Sequence, residues 1–168
     1  METAGLDSLL TDARRATSAE AGTVYIREGN ALHFAVSHND ALARRLGEAQ
    51  ARVRLKGPAL PLSDTSIAAY VALTRATVTI DDVYDIPPTR PYTFNPEVDR
   101  TNDYRSRSML AMPLRDSRGT VFGVLQIINR LDADSHVVPF DRECQERVAA
   151  LIAARAPALA SPRPRGHA

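Results

Sequence analysis

Phe94 to Leu114 reads FNPEVDRTNDYRSRSMLAMPL, and Gly119 to Arg130 reads GTVFGVLQIINR. The first run opens on Asn95-Pro96, a cap residue followed by a proline suited to the first helical position. It predicts a short helix ending near Tyr104, then a strand over Ser108–Leu114. Asp99, Asn102 and Ser106, spaced by three and four, would share one face of that helix. The second run predicts a strand over Thr120–Asn129, apolar on both faces except for Gln126. A strand apolar on both sides is covered on both sides. A lone amide there needs a partner, because an unmatched polar group costs roughly 1–3 kcal/mol. Phe122, Val124, Gln126 and Ile128 are expected on one face. Together the two runs predict a roofed pocket over a sheet, with binding favoured over catalysis.

Upstream, Leu6, Leu9, Leu10, Ala13 and Ala16 recur at helical spacing, and Gly22 is expected to close that region. Thr23–Glu28 and Ala31–His38 read as a hairpin turning at Gly29-Asn30. In its second strand Leu32, Phe34 and Val36 are expected to share a face. Asp40–Arg52 is helix-prone. Ser66, or alternatively Asp64, caps a helix running to about Leu73. Ala76–Ile80 is a short strand and Asp81-Asp82 a turn. Pro87, Pro88, Pro91 and Pro96 stiffen a long connection of the kind that forms lids. Asp141 caps a last helix with Cys144, Val148, Leu151 and Ile152 in its stripe, and Pro157 should end or kink it. The expected architecture is α+β: an antiparallel sheet of about five to six strands with helices on both faces. One domain is expected over residues 5–156, with a disordered tail over 157–168.

The bulk properties narrow the function. The 168 residues suit a single domain, and a net charge of +1 gives no electrostatic case for nucleic acid. The single cysteine excludes an internal disulfide and any multi-cysteine metal site. No run approaches a membrane span, and the first residues lack a signal-peptide pattern, so a soluble cytoplasmic protein is expected. His33 and His38, five apart on one strand, should face opposite sides and share no metal. Cys144, on an apolar stripe, reads as a buried, inert thiol. The Leu6-Leu9-Leu10 and Val148-Leu151-Ile152 stripes suggest a homodimer through the first and last helices.

The spaced matches also resemble the GAF domain, a family of small-molecule sensing modules. The family's F-N-x-x-V-D-x-x-T-G-Y-x-T-R-x-x-L-x-x-P run is matched by Phe94, Asn95, Val98, Asp99, Tyr104, Arg107, Leu110 and Pro113. Its G-x-x-x-G-V-x-Q-x-x-N-K run is matched by Gly119, Gly123, Val124, Gln126 and Asn129. Ser66 to Pro87 extends the likeness, which covers about Leu6 to Ala156. The resemblance implies a ligand contacted by Thr23, Asp99, Asn102, Ser106 and Gln126. It also implies a phosphate at the backbone N–H groups of Ile67 and Ala68, at a helix N-terminus. A cyclic nucleotide is the implied ligand, and an output domain or effector protein the implied partner. Asn102 replaces the family threonine and Asp103 the glycine. Cys144-Gln145 stand where an Asp-Glu pair would follow Phe140. The usual lysine–aspartate bridge therefore cannot form as such, leaving Arg130 to pair with Asp141 or Glu143. The rival reading is a ligand-free dimerisation or scaffold module.

Overall fold

The computed structural model describes residues 3–63 and 65–160; the alternative cap Asp64 and the tail from 161 onward, His167 included, lie outside the described residues. Helix α1 (Ala4–Thr17) leads into the hairpin β1 (Ala19–Glu28) and β2 (Ala31–Asn39). Two short helices, α2 (Asp40–Leu46) and α3 (Glu48–Arg54), precede the two-residue β3 (Leu60–Pro61). Then come α4 (Ile67–Thr74), β4 (Val78–Ile80), α5 (Glu97–Thr101), β5 (Met109–Arg115) and β6 (Val121–Leu131). The two-residue β7 (Val137–Val138) and α6 (Arg142–Leu159) complete the chain. All strand pairs are antiparallel, in the order β3-β2-β1-β6-β5-β4, with β7 beside the end of β6. This is the α+β sheet with helices on both faces, with seven strands in place of five or six because β3 and β7 are too short to leave a period in the sequence.

On one face, α1 and α6 pack against each other and on the sheet. Leu6, Leu9, Leu10, Val24, Leu125, Ile127 and Val148 meet there, all fully buried. The stripes that suggested a homodimer are thus consumed inside one chain, and Arg155 of α6 is bonded to Asp12 and Ser8 of α1. Gly22 does not close α1. The helix stops at Ser18, whose φ of 59° is left-handed, and Gly22 lies within β1. A Cβ at Gly22 would sit 2.7 Å from Leu10 and 2.8 Å from the Gln126 carbonyl, so the close approach of α1 and β6 is what demands glycine. The expected single helix over 40–52 is broken at Gly47, which takes φ 83°. Pro157 lies in the last turn of α6, where few hydrogen bonds remain to be lost, and the helix runs on to Leu159 past the expected boundary at 156.

Two β-bulges change which side chains share a face. Val24 pairs with Val36 while Tyr25 pairs with Phe34, so Ala35 is the extra residue in β2. Val36 therefore joins the α1/α6 core while Leu32 and Phe34 stay on the opposite face. The same bulge puts His33 and His38 on one face. His33 lies opposite Ile26 of that core, and His38 Nε2 reaches Asp7 of α1 at 2.6 Å. Leu114 pairs with Gly123 and Arg115 with Val121, so Phe122 is extra in β6 and turns to the α1/α6 side, away from Val124, Gln126 and Ile128. The second face is covered by α4 and by the proline-rich connection, whose Val83, Tyr92 and Phe94 pack with Ile67, Ala69 and Val71.

Candidate functional site

The site grows from the region of α5. Asn95 Oδ1 accepts from the Glu97 N–H, but the cap position falls on Pro96 and the helix starts at Glu97, one residue later than the sequence reading placed them. The helix ends at Thr101, three residues earlier than expected. Asp103 takes φ 47°, and this left-handed residue turns the chain back on itself. Tyr104 N–H returns to the Asp99 carbonyl at 3.0 Å, and residues 104–108 continue without regular secondary structure to β5. Asp99 and Ser106 are therefore not neighbours on a helix face. They meet because the chain folds back.

That meeting forms a closed cluster. Asp99, 5% exposed, accepts at Oδ1 from Ser106 Oγ at 2.8 Å. Its Oδ2 accepts from Ser106 N–H at 2.8 Å and from Tyr84 Oη at 2.7 Å. Such charge-assisted bonds are the strong ones. Neither Arg100 nor Arg107 pairs with Asp99. Burial of the phenol and then its bond to Asp99 push the Tyr84 hydroxyl up to about 12. Arg105 stacks over the Tyr84 ring at 4.6 Å, and Phe94 meets that ring edge-on.

Asn129 holds the segment from the other side. Its Oδ1 accepts from Arg107 N–H at 2.6 Å, and its Nδ2 donates to Tyr104 Oη and to the Arg105 carbonyl. Tyr104 in turn donates to Glu20. Burial first, and Glu20 second, raise the Tyr104 hydroxyl above its ordinary value.

Beneath α5 lies a cavity of about 120 Å³. Its floor is the β1/β6 face, where Thr23 and Gln126 are register partners. Thr23, Asp99, Asn102, Ser106 and Gln126 all line it. Thr23 Oγ1 is 3.2 Å from Ser37 Oγ, and Tyr25 Oη donates to Gln126 Oε1 at a long 3.5 Å. Asn102 donates from Nδ2 to the Val98 carbonyl at 2.8 Å and to the Arg54 carbonyl at 3.4 Å, while its Oδ1 is buried with no partner among the described residues. Ile67 and Ala68 are not in this wall. They are the first two residues of α4, with side chains buried in the core, and Ser66 Oγ caps that helix by accepting from Ala69 N–H.

Tyr25, Tyr84 and Tyr104 are the polar groups that sequence reasoning missed. Tyr25 was within reach, since it lies two residues from Thr23 on the same strand. Tyr84 sits in an irregular loop and leaves no period to read. Burial also raises the Tyr25 hydroxyl above its ordinary value.

A larger, open cleft of about 610 Å³ lies between α1 and the α2–α3 pair. Several of its polar groups bond one another: Arg14 bonds Asp40, His38 Nδ1 and the carbonyls of Ala19 and Glu20, and His38 Nε2 bonds Asp7. The altered signature near α6 resolves simply. Arg130 Nη1 pairs with Asp141 Oδ2 at 3.2 Å, and Asp141 Oδ1 caps α6 through Cys144 N–H. Cys144 is buried in the α1/α6 core, and burial raises its thiol above the ordinary value.

A family model described as GAF domain matches residues 3–156. The dual 3',5'-cyclic-AMP and -GMP phosphodiesterase 11 of Drosophila melanogaster is 39% identical over 70 residues, 42% of this chain and 4% of the relative. Its counterpart 11A in Takifugu rubripes is 36% identical over 91 residues, 54% of this chain and 9% of the relative. The chain thus spans less than a tenth of the length of either relative. Among solved structures, the GAF domain of a phosphoenolpyruvate-protein phosphotransferase from Coxiella burnetii superposes with a TM-score of 0.64. It is 15% identical and the match covers 92% of this chain and 80% of that one, which establishes the fold alone.

Proposed function

The chain belongs to the GAF domain family, and from that premise we propose that it is a sensory module that binds a small molecule beneath α5 and passes the change to a partner. The observation that carries this reading is the cavity beneath α5 with polar side chains from separate elements in its wall, among them Thr23, Asn102 and Gln126. Asn102 Oδ1 is buried there without a partner among the described residues, at a cost of about 1–3 kcal/mol that a rearrangement on ligand binding would relieve. The role is regulatory, with no catalytic step assigned to the chain. The output belongs to an effector protein or to a further domain, as the great length of the phosphodiesterase relatives suggests. Any homodimer would use a surface other than the buried stripes of α1 and α6. Among the described residues no helix is long and apolar enough to cross a membrane.

The phosphodiesterase relatives suggest a cyclic nucleotide as the finer reading. Small-molecule pockets run to roughly 300–1,000 Å³. At about 120 Å³ the cavity would admit a nucleotide only after α5 swings outward. Native mass spectrometry of protein purified without added ligand tests the sensory reading. A bound mass that disappears in Gln126→Leu is the expected result. Ligand-free protein, together with no thermal shift across a broad metabolite screen, would refute it.

A further inference from the structure

We propose that the α2–α3 pair works as a lever that ties α5, the roof of the cavity, to α1, so that movement of the roof makes or breaks ion pairs on α1. The lever goes beyond the sensory reading and needs no ligand to operate. Three features of the pair carry it.

The first is how the pair is packed. Leu42, Ala51 and Leu55 form a hydrophobic cluster of their own, with Ala43 and Leu46 against it. Among the described residues, no side chain of 40–55 belongs to either of the two large cores. α2 and α3 hold to each other through apolar contact, whereas the bonds that tie them to the roof, to β1 and to α1 are polar. A unit that shares little buried apolar surface with its neighbours is the kind that moves as one body.

The second is the grip on the roof. Arg45 Nη2 donates to the carbonyl of Asn102, the residue that ends α5, at 2.6 Å, and to that of Asp103 at 3.3 Å. A basic side chain on the last carbonyls of a helix is a favourable arrangement. In return Asn102 Nδ2 donates to the Arg54 carbonyl of α3 at 3.4 Å. Arg44 Nη2 lies 3.5 Å from Glu20 Oε1, and the other oxygen of Glu20 accepts from Tyr104, in the segment that follows α5. Both helices of the pair are thus fastened to the same stretch, residues 102–104.

The third is the side facing α1. There the open cleft of about 610 Å³ intervenes, and two ion pairs bridge its walls. Asp40 Oδ2 meets Arg14 Nη2 at 2.5 Å, and Arg52 Nη2 meets Asp7 Oδ1 at 3.8 Å. Arg14 is fixed on its own side, since it also bonds His38 Nδ1 and the carbonyls of Ala19 and Glu20. Asp40 and Arg52 are each more than half exposed, and exposed pairs are individually weak. A shift of α5 therefore carries α2–α3 with it, and the pairs to α1 yield first.

Hydrogen exchange of the full chain, read by mass spectrometry, tests the lever from both ends, with circular dichroism to establish that each variant folds. Asp99→Ala loosens the roof. Exchange over residues 40–55 should then rise roughly fivefold or more together with that over 97–108, and by more than in the α1/α6 core. Should that variant fail to fold, Tyr84→Phe loosens the roof less and should give a smaller rise in the same two segments. Coupling is reciprocal. Asp40→Asn combined with Arg52→Gln cuts only the pairs to α1, and should speed exchange over 97–108 roughly twofold or more, the scale of two exposed ion pairs. Both effects should largely vanish in Arg44→Ala/Arg45→Ala, which removes the arginine grip and leaves the pairs to α1 in place. Exchange over 40–55 that ignores the roof variants, or over 97–108 that ignores the α1-side variant, would overturn the proposal. So would effects of undiminished size without the two arginines. A rise spread evenly over the chain would overturn it as well, by making the response global unfolding. Because no ligand enters, each of these results leaves the sensory reading to its own test by mass spectrometry.

Discussion

Asp99→Ala should loosen the roof of the cavity, and its cost can be worked from the contacts. The carboxylate accepts from two groups of Ser106, itself 4% exposed, and from the hydroxyl of Tyr84, which is 43% exposed. Hydrogen bonds to a charged group contribute about 1.5–3 kcal/mol each, and ordinary ones about 0.5–1.5. The two Ser106 donors have little access to water and lose most. The Tyr84 hydroxyl turns to solvent and loses little. Relief of the carboxylate's own desolvation offsets part of the sum, leaving about 2–4 kcal/mol for Asp99→Ala. Tyr84→Phe removes one half-exposed bond and should cost about 0.5–1 kcal/mol. Asp99→Asn keeps one acceptor but turns an amide NH2 toward donors, so it should fall between. Urea unfolding measures the three costs. Hydrogen exchange over residues 97–108 should report faster opening in the same order, because this segment is tied down by Asp99. Equal costs for Asp99→Ala and Tyr84→Phe, with unchanged exchange in both, would refute the assignment of Asp99 as the latch.

Leu10→Asp places a carboxylate at a fully buried position against Gly22, so it should unfold the domain rather than separate two folded copies. Circular dichroism reads this, and a wild-type melting midpoint would contradict the packing. Gly123→Ala sets a Cβ 2.3 Å from the Tyr25 carbonyl on the paired strand, where only backbone movement makes room. A loss of about 1–3 kcal/mol in urea unfolding is expected. The alkaline limit follows from the tyrosines. Tyr84 is held neutral in the folded state up to about 12 against an ordinary 10.0, and Tyr25 and Tyr104 are raised further. A raised folded value means that the stabilising contribution is complete below pH 10 and drains away as pH climbs through the folded values. Stability should therefore decline above pH 10, less steeply in Tyr104→Phe relative to its own neutral-pH value, and phenolate absorbance should lag until unfolding.

Much of the architecture is written in local pattern. Alternation in β1 and β2, the apolar run of β6, the helical spacing of Leu6, Leu9 and Leu10, and the caps at Ser66 and Asp141 are short-range signals. Each depends on residues a few positions apart. The lone Gln126 on an apolar strand likewise announced a covered polar spot. Tertiary structure decided everything that depends on register or on meetings across the chain. The bulges at Ala35 and Phe122 reversed the faces of Val36, His38 and Phe122, because the two-residue period names a face only while pairing is unbroken. Asp99 reached Ser106 through the left-handed turn at Asp103, not through helical spacing. The side chains of Ile67 and Ala68 went into the core because α4 packs on the sheet, while Ser66 caps the helix from its own chain. The stripes of α1 and α6 found each other, since two apolar faces leaving one sheet bury most area by packing together. Sequence alone thus named the elements and most of the polar wall; the packing of distant strands and helices settled which side chains line the cavity.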